Sequence, residues 1–195
     1  MLSQVIKNIN KINMESLEKQ KQPILPEGYS YHPEGYLWYI LPVEKFDTLP
    51  ETVEVDGRAF IKKAEFHVTV VNARGIASEI AGPDLRTMAD IETNLQKMLA
   101  EYVSKTPIEF AHFENDLRLA VSPERMSIAA RCAMLNLEGY FAHIKTVYDR
   151  EFPIQPPHVS IYTSTGAAVG IDSVDQMESF KKIELPAVQE VLSSI

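Results

Sequence analysis

The chain has 195 residues, of which 45% are hydrophobic, and its 19 basic and 27 acidic side chains give a formal net charge of −8. This charge argues against broad binding to duplex DNA or RNA, which relies on a basic surface, but not against one nucleotide or RNA end in a local pocket. No stretch approaches the roughly 18 apolar residues of a membrane span. The single cysteine, Cys132, excludes a disulfide framework within the chain. We therefore expect a soluble, cytoplasmic protein that does not bind a membrane.

The first 22 residues differ in pattern from the rest of the chain. Their apolar residues recur at helical spacing, which predicts an N-terminal amphipathic helix over residues 1–22 that packs on the body or on a partner subunit. Prolines and glycines between Pro23 and Gly35 then break regular structure. We expect residues 23–195 to form a single domain.

The first half of that domain predicts two strands and a helix. The aromatic and β-branched run YLWYILP predicts a strand over Tyr36–Pro42, and its aromatic residues are interpreted as core and sheet surface. Asp56-Gly57 predicts a turn, and AEFHVTVVNA predicts a second strand over Ala64–Ala73. Pro83-Asp84 begins a predicted helix that ends near Ser104.

The second half predicts a hairpin, a long helix and a further strand. The hairpin pairs Ile108–Phe113 with Asp116–Val121 around Glu114-Asn115. Ser122-Pro123-Glu124 is typical of a helix start, and we predict that this helix reaches about Tyr148. A strand over Pro157–Thr163, a short helix over Ser173–Lys182 and a final amphipathic segment follow. Because strands and helices do not alternate regularly, the expected fold class is α+β with antiparallel sheets.

Two of the predicted strands carry the same short pattern, FHVTV at 66–70 and PHVSI at 157–161. Alternate strand residues share a face, so His67 and Thr69 point one way, and His158 and Ser160 do the same in the other strand. Tyr162 is expected to continue the His158 face and to flank a substrate or to fill the wall of a cleft. Two such matches among five histidines arise by chance in about 1% of sequences of ordinary composition.

Two imidazoles and two hydroxyls are sufficient for displacement at a phosphodiester. One imidazole takes a proton from the attacking group while the other gives one to the leaving oxygen. The hydroxyls donate hydrogen bonds to phosphate oxygens. The remaining histidines, His32, His112 and His143, lack the pattern and are interpreted as structural. Five cations could meet a second phosphate, although each alone is typical of a solvated surface: Arg58, Lys62, Lys63, Arg118 and Arg150.

The paired motifs HVTV at 67–70 and HVSI at 158–161 resemble those of the two-histidine (2H) phosphoesterase superfamily, which includes LigT-type RNA cyclic phosphodiesterases, also described as 2′-5′ RNA ligases. The resemblance covers roughly residues 36–163. It implies a bilobal fold of two pseudo-symmetric lobes, with antiparallel sheets around a central cleft and helices outside. It implies His67 and His158 as the acid–base pair, Thr69 and Ser160 as phosphate ligands, and no metal.

The resulting hypothesis is a metal-independent phosphodiesterase that acts on a 2′,3′-cyclic phosphate or a related nucleotide or RNA end, without a cofactor. The pattern alone leaves two alternatives open: a non-catalytic module that binds a nucleotide or RNA end, and a 2′-5′ RNA ligase that uses the same cleft. The pattern does not assign the acid and base roles to the two histidines.

Overall fold

A computed structural model describes residues 23–195, and the helix predicted over residues 1–22 lies outside them. The described residues form two antiparallel sheets. A three-stranded sheet has the order β1–β2–β5, where β1 is Tyr29–His32, β2 is Tyr36–Leu41 and β5 is Phe66–Asn72. The second sheet has six strands: β3 (Thr52–Val55), β4 (Arg58–Lys62), β6 (Glu109–Val121), β7 (Met126–Leu135), β8 (His158–Thr163) and β9 (Lys181–Ile183). Their order in the sheet is β3–β4–β8–β7–β6–β9.

Helices and a 3-10 turn complete the described part of the chain. The turn is Val43–Phe46, and the helices are α1 (Ala73–Ala81), α2 (Leu85–Val103), α3 (Leu137–Tyr148), α4 (Val174–Ser179) and α5 (Pro186–Ser193). Asp84 caps α2 because its carboxylate accepts from the amides of Arg86 and Thr87. No helix among residues 23–195 is long and apolar enough to cross a membrane.

The predicted α+β class with antiparallel sheets is confirmed. The strands that carry both histidine patterns, the strand at Tyr36–Leu41 and the turn at Asp56-Gly57 are also confirmed. At that turn both central residues have positive φ, 53° and 73°, which is the backbone that a tight hairpin with right-handed twist requires.

Pseudo-symmetry of two lobes is not confirmed. The sheets have unequal numbers of strands, and β3 and β4 from the first half of the chain join the larger one. The long helices α2 and α3 do not divide between the sheets either, because the buried residues of both belong to one apolar cluster with β5 and α1. A second cluster takes residues from both sheets, from the 3-10 turn and from α5.

The hairpin predicted around Glu114-Asn115 is wrong. Residues Glu109–Val121 form one long strand, whose register against β7 shifts between Phe113 and Leu117. The extra residues form a bulge rather than a turn, and two acids within it, Glu114 and Asp116, pair with Arg131 of the neighbouring strand.

The first part of the helix predicted from Ser122 is also wrong. Ser122 belongs to a hairpin loop in which its amide donates to the carbonyl of Arg125 and its hydroxyl accepts from the amide of Arg125. Residues Met126–Leu135 are the central strand β7, and only Leu137–Tyr148 is helical. The segment MSIAARCAML has high helix propensity, but its neighbours β6 and β8 supply a ladder on both sides, and tertiary context overrides the local preference.

Candidate functional site

The three-stranded sheet presents His67 and Thr69 on one face. Their neighbours Phe66, Val68 and Val70 are buried in the apolar clusters on the other face, whereas His67 and Thr69 are half-buried. This alternation follows from the two-residue period of a strand and confirms the predicted faces of β5. One polar face therefore stays open next to a fully packed one.

Strand β8 presents His158 and Ser160 in the same way, with Val159 and Ile161 fully buried behind them. The prediction that Tyr162 continues this face is wrong. The register of β8 on β7 shifts between the pairs Ser160–Ala129 and Tyr162–Ile128, so one extra residue turns Tyr162 to the opposite side. Its side chain is 0% exposed and its hydroxyl donates to the carbonyl of Pro50 at 2.9 Å, so it is part of the core.

The two patterned strands come together although they belong to different sheets. Cα atoms of β5 and β8 lie within 8 Å of one another. The imidazoles are close enough that a charge on His158 is among the causes that lower the pKa of His67. The structure thus brings His67 and His158 near each other, at the junction of the two sheets. The catalytic roles of these residues stay a prediction.

His67 lies in an unusual stack of rings. Its imidazole is parallel to the indole of Trp38, with ring centroids 3.8 Å apart and an interplanar angle of 10°. His32 stacks on Trp38 at 4.3 Å, so the indole separates two imidazoles. His67 Nδ1 is buried without a hydrogen-bond partner, which leaves Nε2 as the nitrogen that can exchange protons.

Burial is the main reason that the pKa of His67 is lowered to about 3, and the positive charges of Lys63, His158 and His32 lower it further. His67 is therefore neutral at pH 7 in the free protein. A neutral imidazole has a lone pair available, which is the form that a general base requires.

His158 has a different environment. Its Nδ1 lies 2.8 Å from the carbonyl oxygen of Pro156, which fixes the proton on Nδ1 and leaves Nε2 as the acceptor. Burial lowers the pKa of His158, and Lys63 adds to this effect. The carbonyl of Pro156 and the carboxylate of Asp172 act in the opposite direction, because both stabilise the imidazolium. Two groups therefore favour the protonated form of His158. All of the neighbours that shift the pKa of His67 disfavour its protonated form.

Lys63 is the cation that both imidazoles share. Its amide donates to the carbonyl of Ile161 at 2.9 Å, which fixes the backbone of Lys63 beside β8. The side chain is half-buried, and burial lowers the pKa of its ammonium group, an effect that Glu65 opposes. Its charge lowers the pKa of both His67 and His158, so the ammonium group lies near the two rings.

The other candidate cations have different surroundings. Arg58 is exposed, and its guanidinium donates to the sulfur of Met126. The other three candidates are paired with carboxylates, which offset their charge toward an anionic ligand: Lys62 with Glu51, Arg118 with Asp116 and Arg150 with Glu79. Lys63 makes no such ion pair among residues 23–195, so it is the cation beside the two histidines that an anion would meet.

Sequence reasoning missed three residues around the site: Trp38, His32 and Asp172. The sequence interprets Trp38 as core or sheet surface and His32 as structural, and the pairing of β2 with β5 places Trp38 opposite Thr69 and against the ring of His67. The only signal in the sequence was the period of β2, which puts residues 36, 38 and 40 on one face. Which face would meet His67 depended on the register between strands, and no local pattern contains that information.

No group of three or more His, Cys, Asp and Glu side chains that could hold a metal ion occurs within residues 23–195. Comparison with known proteins adds no assignment. No family model, no curated protein and no solved structure matches the chain. The function is therefore argued from the geometry of the site.

Proposed function

We propose that the chain is a metal-independent phosphodiesterase of the two-histidine type, and that it opens a 2′,3′-cyclic phosphate on a nucleotide or an RNA end. One observation supports this proposal above the others. Two strands of the form His-x-Thr/Ser-x come from different sheets and have Cα atoms within 8 Å of one another, and the charge of His158 contributes to the lowered pKa of His67.

The environments of the two rings favour different roles. His67 is the general base, because its neighbours oppose the protonated form and its pKa of about 3 keeps it neutral. His158 is the general acid, because Pro156 and Asp172 stabilise its protonated form. A bound phosphodiester anion raises the pKa of both imidazoles, which allows His158 to carry a proton in the complex.

Hydrolysis exchanges one P–O bond for another. A water oxygen attacks phosphorus and forms a new P–O bond while His67 takes a proton from that water. The bond between phosphorus and one ribose oxygen breaks, and His158 gives its proton to that oxygen. The products are a ribose hydroxyl and a phosphomonoester, and each proton transfer contributes roughly 10²–10⁴-fold to the rate.

Three further groups bind the phosphate in this proposal. Thr69 and Ser160 are half-buried beside the histidines on the same strand faces, so their hydroxyls are placed to donate to non-bridging oxygens. Lys63 supplies positive charge, which is worth more here than on the surface because the side chain is partly desolvated.

The proposal includes a cytoplasmic location. Cys132 is the single cysteine of the chain, and it is buried and unpaired. This is compatible with a reducing compartment.

The test is turnover of a panel of nucleoside 2′,3′-cyclic phosphates, 2′-5′-linked dinucleotides and RNA with cyclic ends. His67→Gln and His158→Gln are expected to lower kcat by about 10²–10⁴-fold each, while the melting temperature remains that of a folded protein. His143→Gln is the matched control, because His143 is an exposed histidine on α3.

Two results would redirect the proposal. Binding of a nucleotide without turnover of any substrate would favour a non-catalytic binding module. Joining of RNA ends in preference to hydrolysis would favour the ligase alternative. Equal activity of both histidine variants and the control would eliminate a two-histidine mechanism.

A further inference from the structure

A cavity of about 210 Å³ lies beside the two histidine strands. It is an open pocket lined by the last residues of β5, the first turns of α1, the middle of α3, the segment that precedes β8 and Asp172. The mechanism above does not use this cavity. Asp172, which stabilises protonated His158, is one of its lining residues, so the cavity adjoins the site.

The cavity lies at the end of β5, where Val71 and Asn72, which belong to opposite faces of the sheet, both line it. Asn72 lines the cavity and pairs with Tyr36, while Thr69 pairs with Trp38. Residues 36 and 38 are two apart on β2 and share a face. Their partners Asn72 and Thr69 therefore lie on the same face of the sheet. The separation is three residues, or about 10 Å at the usual rise of a strand.

The second strand leads to the same cavity. Gln155 lines it and precedes His158 by three residues. Both strands thus run from the histidine and hydroxyl groups to the cavity over about the same distance. A nucleoside whose phosphate lies between the histidines would extend its base in this direction.

The lining fits a planar heterocycle and disfavours a second phosphate. Phe141 and Phe152 supply apolar walls. The carboxylate of Asp172 accepts from Gln155 Nε2 at 2.7 Å, and Gln155 Oε1 is buried without a partner. The carboxylate of Asp172 would repel an anion, whereas N–H donors would satisfy its oxygens, and the other acid of the lining, Glu79, already pairs with Arg150.

We propose that this cavity binds the base of the substrate and selects guanine, whose adjacent N1–H and 2-amino groups match the two oxygens of the exposed Asp172 carboxylate. This inference rests on the proposed function, because it places the phosphate of the same ligand between His67 and His158. Uracil fits less well, because its one N–H group lies between two acceptors and leaves one acceptor of the cavity without a donor.

The first test compares kcat/KM for guanosine, inosine and uridine 2′,3′-cyclic phosphates. We expect guanosine to exceed uridine by about tenfold or more, with inosine between them because it lacks only the 2-amino group. Asp172→Asn should reduce the ratio of guanosine to uridine to nearly one. Any effect of that substitution on His158 applies to all three substrates and cancels in the ratio.

The second test measures binding of the nucleosides guanosine and uridine by saturation-transfer NMR, and it needs neither a phosphate nor turnover. Binding of guanosine that Asp172→Asn abolishes is the expected result. Asp175→Asn is the control, because Asp175 is an exposed acid of α4 that does not line the cavity.

The two tests separate the two proposals. If guanosine binds in an Asp172-dependent way and no cyclic phosphate is turned over, the base site stands and the phosphodiesterase proposal fails. If cyclic phosphates are hydrolysed with equal efficiency for every base, or guanosine shows no Asp172-dependent binding, the inference about the cavity is overturned. Far-UV circular dichroism of each variant shows whether it is folded.

Discussion

Replacement of Lys63 by methionine removes the positive charge beside both histidines and keeps a chain of similar length. In the wild-type protein the ammonium group is half-buried and makes no ion pair with a carboxylate among residues 23–195. If it binds the phosphate, its loss removes one hydrogen bond to a charged group. Such bonds are worth about 1.5–3 kcal/mol, so kcat/KM for a cyclic phosphate should fall by about 10- to 150-fold.

The same substitution should shift the pH profile. The charge of Lys63 helps to lower the pKa of His67 and of His158, so both values should rise toward the usual range for histidine when the charge is absent. The acidic limb of the profile of kcat/KM, which reports the free-enzyme base, should therefore move to higher pH. A residue that only stabilised the fold would lower activity without moving this limb.

Lys62→Met is the matched control. Lys62 is the neighbouring residue, but its ammonium group donates to the carbonyl of Leu49 and pairs with Glu51 at 2.5 Å. Initial rates with one cyclic nucleotide, measured from pH 4 to pH 9, should be within about twofold of wild type for this variant. Equal rates and equal profiles for Lys62→Met and Lys63→Met would refute a role for Lys63 at the phosphate.

Three further predictions concern neighbouring groups. His67 has a pKa of about 3 when folded and an ordinary value near 6.5 when unfolded, so the unfolded chain binds the proton first as the pH falls. The free energy of unfolding of wild type, relative to that of His67→Gln, should therefore decrease by about 2 kcal/mol between pH 6 and pH 4 in urea titrations. A difference that stays constant with pH would contradict the burial of this ring. Trp38→Leu removes the ring stacked on His67. This substitution should lower kcat by about 2- to 10-fold with little change in KM. A change in KM alone would show that Trp38 contacts the substrate instead. Tyr162→Phe should lower the free energy of unfolding by about 1–2 kcal/mol, because the carbonyl of Pro50 loses its donor. The same substitution should leave kcat/KM within about twofold of the wild-type value. Loss of activity at unchanged stability would instead place Tyr162 at the substrate.

Local patterns were sufficient to predict the strands that carry the site. His67 and His158 lie on strands whose polar and apolar residues alternate, and a period of two is a local property of the chain. The helix that begins after Asp84 was predictable for a similar reason, since its cap and its apolar stripe are both written in nearby residues.

Local patterns failed where the neighbours of a segment decide its conformation. The helix-prone segment Met126–Leu135 became a strand because β6 and β8 pair with both of its edges. The same pairing introduced the bulge that turns Tyr162 into the core. Propensity measures a preference of well under 1 kcal/mol per residue for such residues, and a shared ladder and a buried face outweigh it.

The sequence by itself therefore determined which residues could do chemistry and which face of each strand they would occupy, because side-chain direction follows from the strand period. Only the tertiary structure decided what surrounds them. It placed β5 and β8 together from different sheets, stacked Trp38 on His67, and brought Lys63 and Asp172 to the two imidazoles. These neighbours, several of which are far away in the chain, set how deeply each imidazole is buried and which charges surround it. The two environments distinguish the base from the acid in the proposed mechanism.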